Sequence, residues 1–227
     1  MPNTSLQALP YPASTAIPDV PADMQALAVA IESKVVQVYA SSGARTSAFT
    51  AAGISPGAGM FSNITGTKRF EGHDGTQWAP LPGQMVGYHK RTSSVTFTGT
   101  ELGVIRVNAA MLAGYRYLIL SSPLRISTVS GETGKANLRY STTANATTSD
   151  TVLTSVEANA NTAFTPVQSP VLAVTFAPGS NATFSCALTL LRSGGSGNTT
   201  ITGSSTQPIE IGIYVAGPDP GDTGADL

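Results

Sequence analysis

From about Ser93 to Val215, short apolar runs recur between clusters of Gly, Pro, Asn and Ser, and inside them apolar and polar residues alternate. Ala136, Leu138 and Tyr140 alternate in this way, as do Phe184, Cys186, Leu188 and Leu190, and Ile209, Ile211, Ile213 and Val215. A period of two turns one side of a strand to a core and the other to solvent, which is the habit of antiparallel sheets. The runs SVTFTGT, GVIRV, YRYLILSS, LRISTV, KANLRYST, TVLTSVEA, VLAVTFA, ATFSCALTLL and IEIGIYV are rich in β-branched and aromatic residues, and no helical pattern separates them. They predict a mainly β chain whose residues 93–227 form an antiparallel, jelly-roll-like β-sandwich, favoured over a closed barrel.

The N-terminal third has a different pattern. Pro2, Pro10, Pro12, Pro18 and Pro21 punctuate the start, and proline fixes its own φ and extends the residue before it. Residues 1–20 therefore read as an extended arm, either lying on a neighbour as an anchor or free as a terminus. The next stretch, PADMQALAVAIESKVVQVYA, predicts one α-helix over residues 21–40. Met24, Leu27, Ile31 and Val38 fall at spacings of three, four and seven, with Lys34 between. That is a seam of about two heptads and the candidate oligomerisation stripe, although a helix packed on its own domain needs the same stripe.

Residues 41–92 read as a small-residue connector followed by a β-hairpin. In GMFSNITGTKRFEGHDGTQW, Thr65-Gly66-Thr67 is the expected turn, Phe61, Ile64 and Phe70 are the apolar contacts, and Trp78 caps the packing. His73 and Asp74 read as polar residues at a loop tip before an Asp-Gly turn.

Composition narrows the function classes. Only 11% of residues are charged and the net charge is −1, against about 25% charged in an average soluble domain. No basic footprint for nucleic acid is visible. The single cysteine, Cys186, allows no intrachain disulfide and no thiol cluster. The opening MPNTSLQALPYP lacks the basic and apolar regions of a secretory signal, and no run approaches the roughly 18 apolar residues of a membrane helix. The expectation is a soluble protein made in a cytoplasm.

Catalytic constellations are not legible. His73 and His89 stand apart, Asp219, Asp222 and Asp226 are interrupted by Pro and Gly, and Cys186 alternates with apolar neighbours. SGGSG lacks the lysine of a phosphate loop. A glycosidase needs two carboxyls about 5–10 Å apart, and Glu132, Glu157 and Glu210 are scattered along the chain. The expectation is a non-enzymatic protein with no cofactor and no metal.

Leu9 to Pro12, Val20 to Ala28, Ala40 to Arg45, Gly59-Met60, and Asp74, Gly75 and Trp78, followed by MLAGYRYLI, NLRYSTTA, CALTLLRSGGSG and GPDPGDTG, carry a resemblance in their order. The chain resembles small structural proteins of tailed bacteriophages that infect actinobacteria, of the minor tail, fibre or head-fibre type. That resemblance implies a virion component, and many phage fibres are homotrimers. With the arm and the helix seam it gives the expected reading: a minor tail or fibre protein on the virion surface, a homotrimer, attached to other virion proteins through residues 1–20. A capsid decoration protein and a carbohydrate-binding module for host glycan, stacking sugars on Tyr115, Tyr117, Tyr140 or Tyr214, are the rival readings.

Overall fold

The computed structural model describes residues 19–32, 35–128, 133–143, 145–159 and 171–220. Most of the expected arm, together with Lys34, Glu132, Asp222 and Asp226, lies outside them. The chain forms two compact units, one ending at Leu81 and the other beginning at Pro82.

In the first unit, helix α1 (Val20–Glu32) starts where Asp19 accepts the backbone N–H of Ala22 at 3.2 Å. This side chain satisfies one of the amides that a helix N-terminus leaves without a partner. The helix is shorter than the expected 21–40. Val35, Val36 and Val38 are β-branched, and the chain enters strand β1 (Gln37–Tyr39). Val38 is therefore a strand residue and cannot continue the helical seam.

The expected connector is in fact a second helix, α2 (Ser42–Ala52), capped by the Ser41 hydroxyl, which accepts from the Ala44 N–H at 3.1 Å, and closed by a left-handed Gly53. Strands β2 (Phe61–Ile64), β3 (Arg69–His73) and β4 (Trp78–Pro80) follow. The expected hairpin is thus the centre of a four-stranded sheet in the order β1-β2-β3-β4, with β1 parallel to β2 and the other pairs antiparallel. A β-α-β crossover through α2 links the parallel pair, the usual way to join parallel neighbours.

The second unit contains β5 (Met85–Arg91), β6 (Val95–Phe97), β7 (Leu102–Met111), β8 (Tyr115–Ser121), β9 (Arg125–Ser127), β10 (Thr133–Ser141), β11 (Thr151–Asn159), β12 (Ala173–Phe176), β13 (Ala182–Gly194), β14 (Thr199–Thr202) and β15 (Ile209–Pro218). One sheet has the order β12-β8-β15-β5 and a second β11-β10-β13-β7, with a small sheet β6-β14-β9 beside them. Every pairing in this unit is antiparallel. Apart from the β10–β11 hairpin, the chain passes from one large sheet to the other between successive long strands, and most partners are distant in sequence, which is the double Greek key of a jelly roll. The boundary falls at Pro82 in place of the expected residue 93, because β5 pairs with β15. His89, which lies before the expected sandwich at residue 93, belongs to this strand.

The alternation read from the sequence sets the core. Ala136, Leu138, Phe184, Cys186, Leu188, Leu190, Ile209, Ile211, Ile213 and Val215 are all buried. Tyr140 is half-buried and packs on Phe176 and Phe184, with ring centroids at 4.8 and 6.4 Å. Strand β7 ends its sheet, and the side chains of β5 cap that edge. The Arg91 Nη1 donates to the Val104 carbonyl at 3.1 Å, and the His89 ring nitrogen meets the Arg106 carbonyl at 2.6 Å. Occupying edge carbonyls in this way blocks strand addition there.

Candidate functional site

The sheet of the first unit has two unlike faces. Residues directly opposite in register share a face, so Tyr39, Ser62, Ile64, Glu71, His73 and Trp78 look one way, toward α2. Arg45 and Phe49, one turn apart on α2, are its buried residues. The Arg45 Nη1 donates to the Ser62 hydroxyl at 2.6 Å and to the Glu71 carboxylate at 2.5 Å, and the guanidinium lies 4.1 Å from the Trp78 ring centre. Phe49 meets Trp78 at 6.0 Å and Tyr39 at 6.5 Å.

His73 is buried in this layer, not exposed at a loop tip. Its ring meets Trp78 edge-on at 5.1 Å, and its Nδ1 accepts the Gly75 N–H at 3.2 Å. Register explains the difference, because His73 stands opposite Trp78 and so faces the helix. Asp74 makes the turn: one carboxylate oxygen accepts from the Thr76 N–H, the Thr76 hydroxyl and the Gln77 N–H at 2.7–2.8 Å. Gly75 takes φ +107°, where a Cβ would be strained.

The opposite face holds Val38, Phe61, Asn63 and Phe70, with Leu81 lying over Gly72. The four residues expected to pack the hairpin are therefore divided. Ile64 and Trp78 join the helix layer, while Phe61 and Phe70 lie nearly half exposed on the other side. Helix α1 likewise has no buried residue among those described. Met24, Leu27 and Ile31 are all exposed, and an apolar groove of about 420 Å³ runs among Val29, Val35, Val38, Tyr39, Phe49 and Ile54. Among the described residues of this unit, eleven large apolar side chains are 37–65% exposed.

The jelly roll treats its two outer faces differently. On the sheet containing β10 and β13, Glu101 accepts from Arg139 at 2.6 and 2.7 Å, from Asn137 at 3.0 Å and from the Thr189 hydroxyl. Burial works to raise the Glu101 pKa, and the hydrogen bonds from Arg139, Thr189 and Asn137 outweigh it, so the carboxyl is held below its ordinary value. The backbone at Ala146 donates to the buried Ser185 hydroxyl at 2.9 Å. This face is covered by its own chain.

The face of β12-β8-β15-β5 is open. Tyr214 stands opposite Met85 and Leu118, and Gly212 opposite Tyr88 and Leu120. Glu210 accepts the Tyr88 hydroxyl at 2.6 Å, which raises the Tyr88 pKa because a neighbouring carboxylate disfavours the phenolate. Of the four tyrosines expected as stacking residues, Tyr115 and Tyr117 are buried and Tyr140 serves the core. Tyr214 alone looks outward, and Tyr88, which the sequence reading missed, is beside it.

Other candidates have structural surroundings. Cys186 is buried, which pushes its thiol up to about 12. Glu157 pairs with Lys135 at 3.4 Å and Asp219 with Arg116 at 2.7 Å. Among the described residues, no three His, Cys, Asp or Glu side chains come together as metal ligands, and no helix is long and apolar enough to cross a membrane.

The chain matches no protein-family profile and no curated protein. Among solved structures it is similar to the Eiger TNF of S. frugiperda, at 12% identity over 65% of this chain and 100% of the other, with a TM-score of 0.36. It is also similar to the VP2 subviral particle of infectious bursal disease virus, at 12% identity over 64% of this chain and 41% of that one, with a TM-score of 0.30.

Proposed function

We propose that the chain is a non-enzymatic structural protein of a bacteriophage surface, assembled as an oligomer through its first unit and displaying the jelly roll. The observation that carries this reading is the apolar surface of the first unit. Among the described residues its eleven exposed side chains, divided between α1, the chain after each helix and the outer face of the sheet, together present on the order of 1,000 Å², against about 800 Å² per partner in a standard interface. A 13-residue helix is also marginal in water without a packed face.

The proposed occupant is a second copy, because the surface is apolar and the ion pair of Arg45 with Glu71 lies on the other side of the sheet. The actinophage resemblance implies a virion component, many phage fibres are homotrimers, and the proposed position is the tail or its fibres ahead of a head decoration. The non-enzymatic part is supported by the employment of the titratable groups: His73 packs edge-on against Trp78, Glu101 is bound by Arg139, and Cys186 is buried. Residues 1–20 are the proposed attachment to other virion proteins.

Mass spectrometry of purified phage particles tests the placement. The chain should co-purify with particles, and antibody label should lie on the tail. Absence from washed particles would overturn the reading, and label over the head would move it to decoration.

A further inference from the structure

The open face of the jelly roll ends in a pocket whose chemistry suits one class of ligand. Ser122, Pro123, Arg125, Gln207, Pro208 and Glu210 line a cavity of about 360 Å³, within the usual range for small-ligand sites. Ser122 fixes the floor. Its hydroxyl donates to the Pro208 carbonyl at 3.2 Å and accepts the Glu210 N–H at 3.0 Å. Arg125 donates to the Gln207 side-chain oxygen, and Glu210 accepts the Tyr88 hydroxyl at 2.6 Å.

Next to this pocket, Gly212 leaves one outward position of β15 without a side chain. A Cβ built on Gly212 would lie 2.7 Å from the Tyr214 ring. The ring therefore lies along the strand over the glycine, between Glu210 and its own position, with Tyr88 directly across from Gly212. Leu118, Leu120 and Ala216 continue the face in a shallow hollow beyond Tyr214. From Glu210 to Ala216 the strip runs about 20 Å at roughly 3.3 Å per residue.

We infer that this strip, Glu210 with Tyr88, Tyr214, Arg125 and Gln207, binds a neutral oligosaccharide. The inference rests on the reading of the jelly roll as the displayed unit. A sugar ring presents a C–H face and a rim of hydroxyls that both donate and accept. The flat tyrosine meets the first, and a pocket holding a guanidinium, a carboxamide and a carboxylate meets the second. The pocket lining balances one positive with one negative group, and Lys90, exposed on strand β5 opposite Glu210 in register, adds a further donor for sugar hydroxyls. A purely apolar ligand would strip water from these charges without replacing their hydrogen bonds.

The full chain is applied to a printed array of neutral and acidic oligosaccharides, and the strongest neutral binder is titrated by calorimetry. Tyr214→Ala, Tyr88→Phe and Gln207→Ala are each expected to weaken binding at least tenfold, with unchanged circular dichroism, oligomeric mass and particle incorporation. Gly212→Ala should weaken it as well by displacing the ring, whereas Ser149→Ala, on a distant loop, should not. If Tyr214→Ala fails to fold, Tyr88→Phe and Gln207→Ala decide. No neutral binder, binding of acidic glycans only, or binding indifferent to these variants would overturn the inference. A fall in oligomeric mass in the Tyr214 or Tyr88 variants would also overturn it, by showing the strip to be a contact between copies. Incorporation into particles is measured separately, so failure of glycan binding is distinguishable from failure of the virion reading.

Discussion

The Arg45 guanidinium sits between Glu71, 2.5 Å from its Nη1, and the face of Trp78, 4.1 Å from the ring centre. Both members of the ion pair are largely buried, with side-chain exposures of 5% and 14%. Breaking such a pair on one side leaves a charge without its partner and costs about 3–5 kcal/mol. Arg45→Met should destabilise the first unit by that amount, read by urea unfolding of the Trp78 fluorescence. Trp78 is the sole tryptophan, so this signal reports on the first unit. Adding Glu71→Leu to Arg45→Met should restore much of the loss, because an apolar pair replaces a buried ionic one at little cost. An unchanged midpoint in Arg45→Met would contradict the helix-to-sheet clamp.

His73→Ala follows from the same layer. The edge-on contact with Trp78 is of the kind worth about 0.5–1.5 kcal/mol beyond area burial. A loss of at least that size is expected, with no change in particle infectivity beyond what stability explains. Infectivity abolished in a variant that folds and assembles normally would point to chemistry at His73.

What the sequence showed depended on period. The jelly-roll strands were legible because large β-branched residues alternate there, as in Ile209 to Val215. Helix α2 was not, since its inward face is Arg45 and Phe49 among Ser, Gly, Thr and Ala, which leaves no apolar stripe at helical spacing. Val38 misled in the opposite direction, because its distance from Ile31 fits a heptad although the intervening chain leaves the helix. The division of Phe61 and Phe70 from Ile64 and Trp78 needed the register, which no local pattern supplies. Tyr88 was overlooked because β5 lies just after the proline-glycine break.

Glu101 gives a pH dependence with a definite sign. Its carboxyl is held below the ordinary 4.5 in the folded chain, so folding favours the ionised form. The resulting stability is fully present above the unfolded value and is lost as pH falls through the lower folded value. The gap in urea midpoint between the parent protein and Glu101→Gln should be largest near neutrality and shrink below about pH 4.5. A gap that widens in acid would contradict the network with Arg139, Asn137 and Thr189.

Cys186 should be inert while the jelly roll is folded, since burial pushes its thiol up to about 12 and the thiolate is the reacting form. Iodoacetamide at pH 8 should leave the native protein unmodified by intact-mass spectrometry and alkylate it fully in urea. Rapid labelling of the native protein would show that the β13 core opens.

Residues 1–20 are proposed to attach the protein to its particle. Deleting them should remove the protein from purified particles while leaving the β circular dichroism of the jelly roll intact. Full incorporation of the shortened chain would eliminate the anchoring role.

The central claim is that copies assemble through the first unit, and the solution mass of the full chain tests it most directly. Light scattering should give a multiple of the 23.2 kDa chain mass, with three copies favoured, and Leu27→Asp with Ile31→Asp should reduce it to one. A parent protein that scatters as a monomer at micromolar concentration, before any substitution, would contradict the account.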